Sequence, residues 1–318
     1  MKDPQFGSNR IQSFIDFDAS GNKVRLGAEG LALFAEVGTE KAYLTNPDGT
    51  SFFNNVFNGV YFVDMTNGSD SNDGYTWLTP LKTIQAAIDL AVEGAGTKIY
   101  CTGSATLTAP ILWNKTNLHL YGYPAMDNHT GGNCSLTIST DDTPLFLISK
   151  TKARFEGLRV TLANTKCVAF SVYDNQADST AAVALSNCMF KNLNIYKSTG
   201  SNGEGNAFRL GSSTACTFEN IKIIAASGKH LLGGFLFVST VRSHFKNIVI
   251  GNCAGTAIYD PGSTDTVYEG IVILNSCLVG CDIAGATSIL MNSRIMATTA
   301  YGGNDSIQHV GNLIDVDI

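Results

Sequence analysis

A seven-residue phrase returns six times along this chain, at 154–160, 189–195, 217–223, 244–250, 267–273 and 289–295. Its pattern is aromatic or Leu, polar, Asn or Gly, aliphatic, any residue, aliphatic. The anchors are Phe155, Phe190, Phe218, Phe245, Tyr268 and Leu290, so successive gaps are 35, 28, 27, 23 and 22 residues. Alternating apolar and polar residues mark a half-buried strand. One such strand cannot bury its apolar face alone. A strand that comes back every twenty-odd residues can bury each copy against the next, which is the signature of a β-solenoid. The strands of a β-sandwich do not repeat their local phrase at a nearly constant period.

Stacked coils align the repeat into columns. Phe155, Phe190, Phe218, Phe245 and Tyr268 form one; Leu158, Leu193, Ile221, Ile248 and Ile271 a second; Val160, Ile195, Ile223, Ile250 and Ile273 a third. Asn192, Asn220, Asn247 and Asn292 share a slot with Gly157 and Gly270. Both residue types tolerate left-handed backbone angles, and stacked Asn amides can also bond in a ladder. A second strand per coil is expected at 168–172, 206–210, 234–238, 256–258 and 281–283. Polar insertions at 173–180 and 198–205 lengthen the early coils; in solenoids such insertions gather on one flank, often the binding face.

Residues 60–92 open the repeat differently. Val60-Tyr61-Phe62-Val63-Asp64 is a strand, and Asn67-Gly68-Ser69-Asp70-Ser71-Asn72-Asp73-Gly74 a polar turn. After Trp77-Leu78-Thr79, the stretch near 80–92 reads as a short amphipathic helix with Leu81, Ile84, Ile88 and Ala91 on one face. Thr79 is placed as its N-cap and Pro80 at its first position. This opening resembles that of the right-handed parallel β-helix proteins of the pectate-lyase-like superfamily, and the resemblance runs over residues 60 to 300. It implies an all-β chain, a right-handed parallel β-helix with a capping helix near 80–92. Without a cap the end coil exposes backbone edges and apolar columns. The superfamily includes polysaccharide lyases and hydrolases, phage tailspikes and non-enzymatic virion proteins, so the resemblance speaks to fold far more than to function.

Residues 1–58 read as a small N-terminal attachment module of β structure, 59–306 as the β-helix, and 307–318 as a C-terminal strand or cap. In the module, a turn at 19–23 joins Phe14–Asp18 to Val24–Leu26, a second turn lies between Tyr43 and Phe53, and 31–35 is apolar. The layout of a small module ahead of a β-helix resembles that of phage tailspikes and fibres. In the tail, Val310, Leu313, Ile314, Val316 and Ile318 make an apolar strand that caps the solenoid or pairs between subunits.

Composition removes several classes. Only 15% of residues are charged and the net charge is −6, which argues against a nucleic-acid partner. No run of eighteen apolar residues exists, so no membrane span is expected, and the N-terminus lacks an apolar signal core. Eight cysteines raise the question of disulfides. Cys188, Cys216, Cys253 and Cys277 fall near turns and strand starts of successive coils, where Cys acts as a small buried hydrophobe. Stacked thiols, not disulfides, are expected. Cys277 and Cys281 lack the His pair that would complete a zinc site.

A glycan-cleaving β-helix needs paired carboxylates or a basic residue beside calcium-binding acids. The acids weighed are Asp141, Asp142, Glu204, Asp260, Asp265 and Asp282. Asp141-Asp142 and Asp260-Pro261-Gly262 read as turns, and Asp282 is the acid least explained. Glu156, Glu219 and Glu269 share an outward column with Lys191 and Lys246 and read as cross-coil pairs. His119, His129, His230, His244 and His309 form no constellation. The turn holding Asn67, Asp70, Asn72 and Asp73 is partly like a calcium loop, but an Asx-rich turn satisfying its own backbone accounts for it. Tyr75 and Trp77 belong to the cap; Trp113, Tyr121, Tyr123 and Tyr196 are candidates for sugar stacking, with core packing the better account of most. No catalytic, cofactor or metal residue is assigned.

These readings converge on a structural virion protein of a phage or virus: a tail spike, fibre or capsid decoration, made in the host cytoplasm. A homotrimer is expected, with other virion proteins held through the N-terminal module and a host-surface polysaccharide as a candidate ligand. The alternatives are a polysaccharide-degrading lyase or hydrolase, and a bacterial surface adhesion protein.

Overall fold

The computed structural model describes residues 13–16, 22–27, 30–37, 40–43, 59–123, 134–173, 183–199, 205–274, 276–302 and 306–314. The chain divides into two units, Met1–Gly59 and Val60–Ile318. In the first, Ser13–Asp16, Asn22–Gly27, Gly30–Val37 and Glu40–Tyr43 pair in sequence order as an antiparallel sheet. The first two are the strands expected on either side of the 19–23 turn. The hairpin expected between Tyr43 and Phe53 lies outside the described residues.

The second unit is a parallel β-helix. All its strand pairings are parallel, each strand bonding to its counterpart one coil away. A long face of fourteen strands and a second face of eight enclose the core. The columns expected from the repeat are in register: Phe155 pairs Phe190, Phe190 pairs Phe218, Phe218 pairs Phe245, and Phe245 pairs Tyr268. Their rings stack at 5.4, 5.0, 4.5 and 4.7 Å. A matching stack from the second face, Phe146, Phe170, Phe208 and Phe235, runs beside it at 5.1, 5.0 and 4.6 Å. The two stacks meet edge to face, as ring quadrupoles prefer.

On the long face each coil bends at one left-handed residue. Asn192, Asn220, Asn247 and Asn292 have φ of 52°, 54°, 53° and 50°, and Gly157 and Gly270 hold the same slot at 74° and 64°. Asn220 Nδ2 donates to Asn192 Oδ1 and Asn247 Nδ2 to Asn220 Oδ1, both at 3.1 Å. The slot therefore serves both of its expected uses.

Three features differ from the expectation. The helix is shorter, Ile84–Leu90, and its N-cap is Thr83, not Thr79. Residues before it are held extended, because Leu81 donates to Phe62 O and accepts from Asp64 N, both at 2.9 Å, bridging to the first strand. The helix still closes the core through buried Ile84, Ala87 and Ile88. Second, a third strand per coil exists: Leu185–Ser186, Ser212–Thr214 and Ser239–Val241 form a short parallel sheet. These two- and three-residue strands, mostly Ser and Thr, carry no apolar alternation to read.

Third, Cys101 and Cys134 are joined by a disulfide, with Cα atoms 5.8 Å apart. The expectation of thiols throughout is thus corrected. Both side chains are buried, on strands that pair Gly103 with Cys134, so stacking brings the sulfurs together. Cys188, Cys216, Cys253 and Cys277 are buried thiols, as expected. The tail adds a last rung to the long face. Gln308–Val310 and Leu313–Ile314 pair with the preceding coil, and Val310, Leu313 and Ile314 stay exposed. Val316 and Ile318 lie outside the described residues.

Candidate functional site

The outward side of the long face is a set of residue rows running from coil to coil. One row begins aromatic and becomes charged: Phe62, Tyr100, Tyr121, Glu156, Lys191, Glu219, Lys246, Glu269. Its acids are occupied. Glu156 Oε2 lies 2.7 Å from Arg154 Nη2, Glu219 is 3.1 Å from Lys191, and Glu269 is 3.5 Å from His244. The aromatic start is also occupied. Phe62, Tyr100 and Tyr121 stack on one another at 5.8 and 5.3 Å, so their faces are spent on their neighbours. Trp77 leans on Phe62 and Tyr123.

Past the left-handed bend, a second row differs. Arg159, Asn194 and Lys222 are adjacent partners on three successive strands, and Tyr196 and Ile224 are partners two residues further along. These five residues line a shallow groove of ≈ 200 Å³. Arg159 and Lys222 are exposed, and neither has an ion-pair partner among the described residues. Strands lie ~4.8 Å apart, so the backbone positions of the two cations stand roughly 10 Å apart across Asn194. Backbone ladders on either side hold them at that spacing. The row could be found in the sequence only once the coils were aligned, because Arg159 and Lys222 are 63 positions apart in the chain (222 − 159).

The other candidates scatter. Asp141 Oδ1 accepts the Lys166 amide at 2.8 Å and is a turn residue, as expected. Asp265 adopts φ 49° in an exposed turn. Asp282 stands beside Gly302, where a Cβ would lie 2.4 Å from its carboxyl carbon, so that glycine makes its room. Glu204 and His129 lie outside the described residues. Asp70 accepts the Lys82 and Thr83 amides at 2.9 and 2.8 Å, and Asp73 accepts Tyr75 N and Thr79 Oγ1. The acidic turn therefore spends its carboxylates on its own backbone and the helix start. Among the described residues no group of three His, Cys, Asp or Glu could hold a metal. Trp113 is fully buried against Phe146 and Phe155 and belongs to the core. Burial, with Arg154 and Lys98 nearby, pushes the His119 pKa down.

Asp260 departs from the sequence reading, and Lys197 is a buried charge that reading did not single out. Asp260 is not a solvated turn acid: it ends the strand Thr256–Asp260 fully buried. Its Oδ2 accepts from Thr240 Oγ1 and from Tyr268 Oη at 2.5 Å, while Oδ1 has no partner. Burial raises its pKa above the ordinary carboxylate value, against the pull of those hydrogen bonds. Lys197 lies inward in register with Leu162 and Ala225, and its Nζ donates to the Asn164 and Thr165 carbonyls at 2.9 and 2.5 Å. A Lys at a strand end reads as solvated, so no local signal marks it.

No family model matches the chain, and no curated protein matches it. Among solved structures the chain is similar to a rhamnogalacturonan lyase at 12% identity and a TM-score of 0.43, over 81% of this chain and 62% of that one. It is similar to ORF18 of Geobacillus virus E2 at 14% identity and a TM-score of 0.35, over 93% and 68%. A GH136 lacto-N-biosidase from Eubacterium ramulus follows at 9% and 0.22, over 81% and 68%. The chain thus spans about three fifths of the lyase's length. All three combine low identity with a TM-score below 0.5, so the functional reading rests on this chain's own residues.

Proposed function

We propose that this chain is a surface protein of a phage or virus particle, a spike, fibre or capsid decoration, that binds an acidic glycan along its long face. The observation that carries the reading is the row Arg159, Asn194, Lys222. Two exposed cations without ion-pair partners among the described residues stand on a chain of net charge −6. Their backbone positions are held roughly 10 Å apart, and their long side chains reach carboxylates repeated along a polysaccharide. Tyr196 adds an amphipathic ring beside them. Each exposed ion pair contributes little alone, about 0–1 kcal/mol; the two together, on a scaffold whose backbone needs no reordering, add to a useful affinity.

The remaining parts follow the layout. The N-terminal antiparallel unit attaches the chain to other virion proteins, and three copies assemble into the particle component. Binding of acidic and neutral polysaccharides, measured by titration calorimetry, tests the site. Arg159→Ala with Lys222→Ala is expected to weaken acidic-glycan binding at least tenfold, which is about 1.4 kcal/mol, and to leave neutral-glycan binding alone. Unchanged affinity overturns the site. Release of new reducing or unsaturated ends from the bound polysaccharide moves the chain to the enzyme reading. A native mass other than three chains removes the trimer.

A further inference from the structure

The cysteines show a regularity apart from the groove. Cys101 and Cys134 are bonded across 33 residues. Cys188 and Cys216 are 28 residues apart, and Cys253 and Cys277 are 24 apart (216 − 188; 277 − 253). Each interval is one coil at its place in the chain. Cys188 and Cys216 precede Met189 and Thr217, which are register partners, and Thr217 N donates to Cys188 O at 2.9 Å. Cys253 bridges to Leu231 one coil before, with Ala254 N on Leu231 O at 2.8 Å. Leu278 N donates to Cys253 O at 3.0 Å in the same way, so Cys277 takes that place on the next coil. All four side chains are buried on adjacent coils.

We infer that Cys188–Cys216 and Cys253–Cys277 are two further inter-coil disulfide sites, which together with Cys101–Cys134 cross-link the solenoid near its start, middle and end. Adjacent parallel strands hold equivalent Cα atoms ~4.8 Å apart, inside the roughly 4.4–6.8 Å range a disulfide spans. The partner on each side is already a sulfur, so no side chain must move aside. The reaction is exchange with a low-molecular-weight disulfide such as oxidised glutathione. One protein thiolate attacks glutathione disulfide and releases one glutathione thiolate. The second protein thiolate then displaces the other, leaving one protein disulfide and two reduced glutathiones. Interaction with Cys216 and burial hold the Cys188 thiol well above the ordinary range. Both sulfurs are buried, which keeps glutathione disulfide from reaching them in the folded chain, so the bonds form most readily as the coils assemble.

The test uses the full chain in two arms: native protein held in glutathione disulfide, and protein refolded from guanidinium in a glutathione redox buffer. Remaining thiols are alkylated, and non-reducing peptide mapping follows. The expected result in the refolded arm is linkage of 188 to 216 and of 253 to 277, with an intact mass before alkylation lower by four hydrogens than that of the protein oxidised only at 101 and 134. The unfolding midpoint rises, and dithiothreitol reverses the rise. Cys188→Ser removes one link and leaves 253 to 277 intact. Alkylation of all four cysteines in the refolded arm, scrambled linkages, or stable glutathione adducts at these positions would each overturn the inference.

Discussion

Replacing Phe218 with Ala removes the ring at the crossing of the two aromatic stacks. Phe218 is fully buried. It stacks on Phe190 at 5.0 Å and on Phe245 at 4.5 Å, and meets Phe208, Phe235 and Phe237 edge on at 5.8, 5.5 and 5.7 Å. Phe→Ala in a core costs about 3–5 kcal/mol through lost transfer energy and the cavity left behind. Coils fixed by their ladders on both sides cannot collapse into that space, so the upper end applies, about 5 kcal/mol. For a unit of this size each kcal/mol lowers the midpoint by roughly 2–4 °C, giving a fall of about 10–20 °C. Phe218→Leu refills most of the volume and loses about 2 kcal/mol by the same reasoning. Leu290→Ala, near the end of the column, serves as comparison at about 3 kcal/mol. Calorimetry and circular dichroism give the midpoints, and amide exchange locates the loosened coils, since solenoid stability is a sum over neighbours. A midpoint for Phe218→Ala no lower than that for Leu290→Ala, or equal to that for Phe218→Leu, refutes the account of two interlocked stacks.

Asp260 makes stability depend on pH in a stated direction. Its folded pKa lies above the ordinary value near 3.8 because of burial, so the folded state favours the proton. Stability from this group is full below the unfolded pKa and is lost as pH rises through the folded one. Asp260→Asn is thus expected to gain stability relative to the parent as pH rises from acid to neutral; a difference that is flat or falls with pH counts against the argument. At the bend, Asn220→Ala is expected to cost about 2–3 kcal/mol, from left-handed strain of about 1–2 and weakened amide bonds of about 1. Asn220→Gly keeps φ 54° free of strain and loses only the ladder and some backbone entropy, about 1–2 kcal/mol. Chemical denaturation separates the two, and equal losses would mean the left-handed angle carries no strain.

The phrase anchored at Phe155, Phe190, Phe218 and Phe245 determined the solenoid by itself, because a period-two strand returning once per coil has one way to bury its face. The Asn slot was legible for the same reason: a fixed phase in the repeat is a fixed backbone angle. Those are local properties, carried by neighbours in the chain. What only the tertiary structure decided depends on which coil lies on which. Arg159 and Lys222 are ordinary surface cations until three strands place them on either side of Asn194. Cys101 and Cys134 read as two more buried thiols until adjacent coils bring them within bonding distance. Asp260 reads as the first residue of an Asp-Pro-Gly turn, and only the packed interior shows its carboxyl turned inward to Thr240 and Tyr268. Thr79 and Pro80 carry every local mark of a helix start, yet Leu81 bridges to the first strand where the first helical turn would run. Backbone hydrogen bonds to another strand outweigh a local capping preference worth about 1 kcal/mol, and no local pattern records which strand will be there.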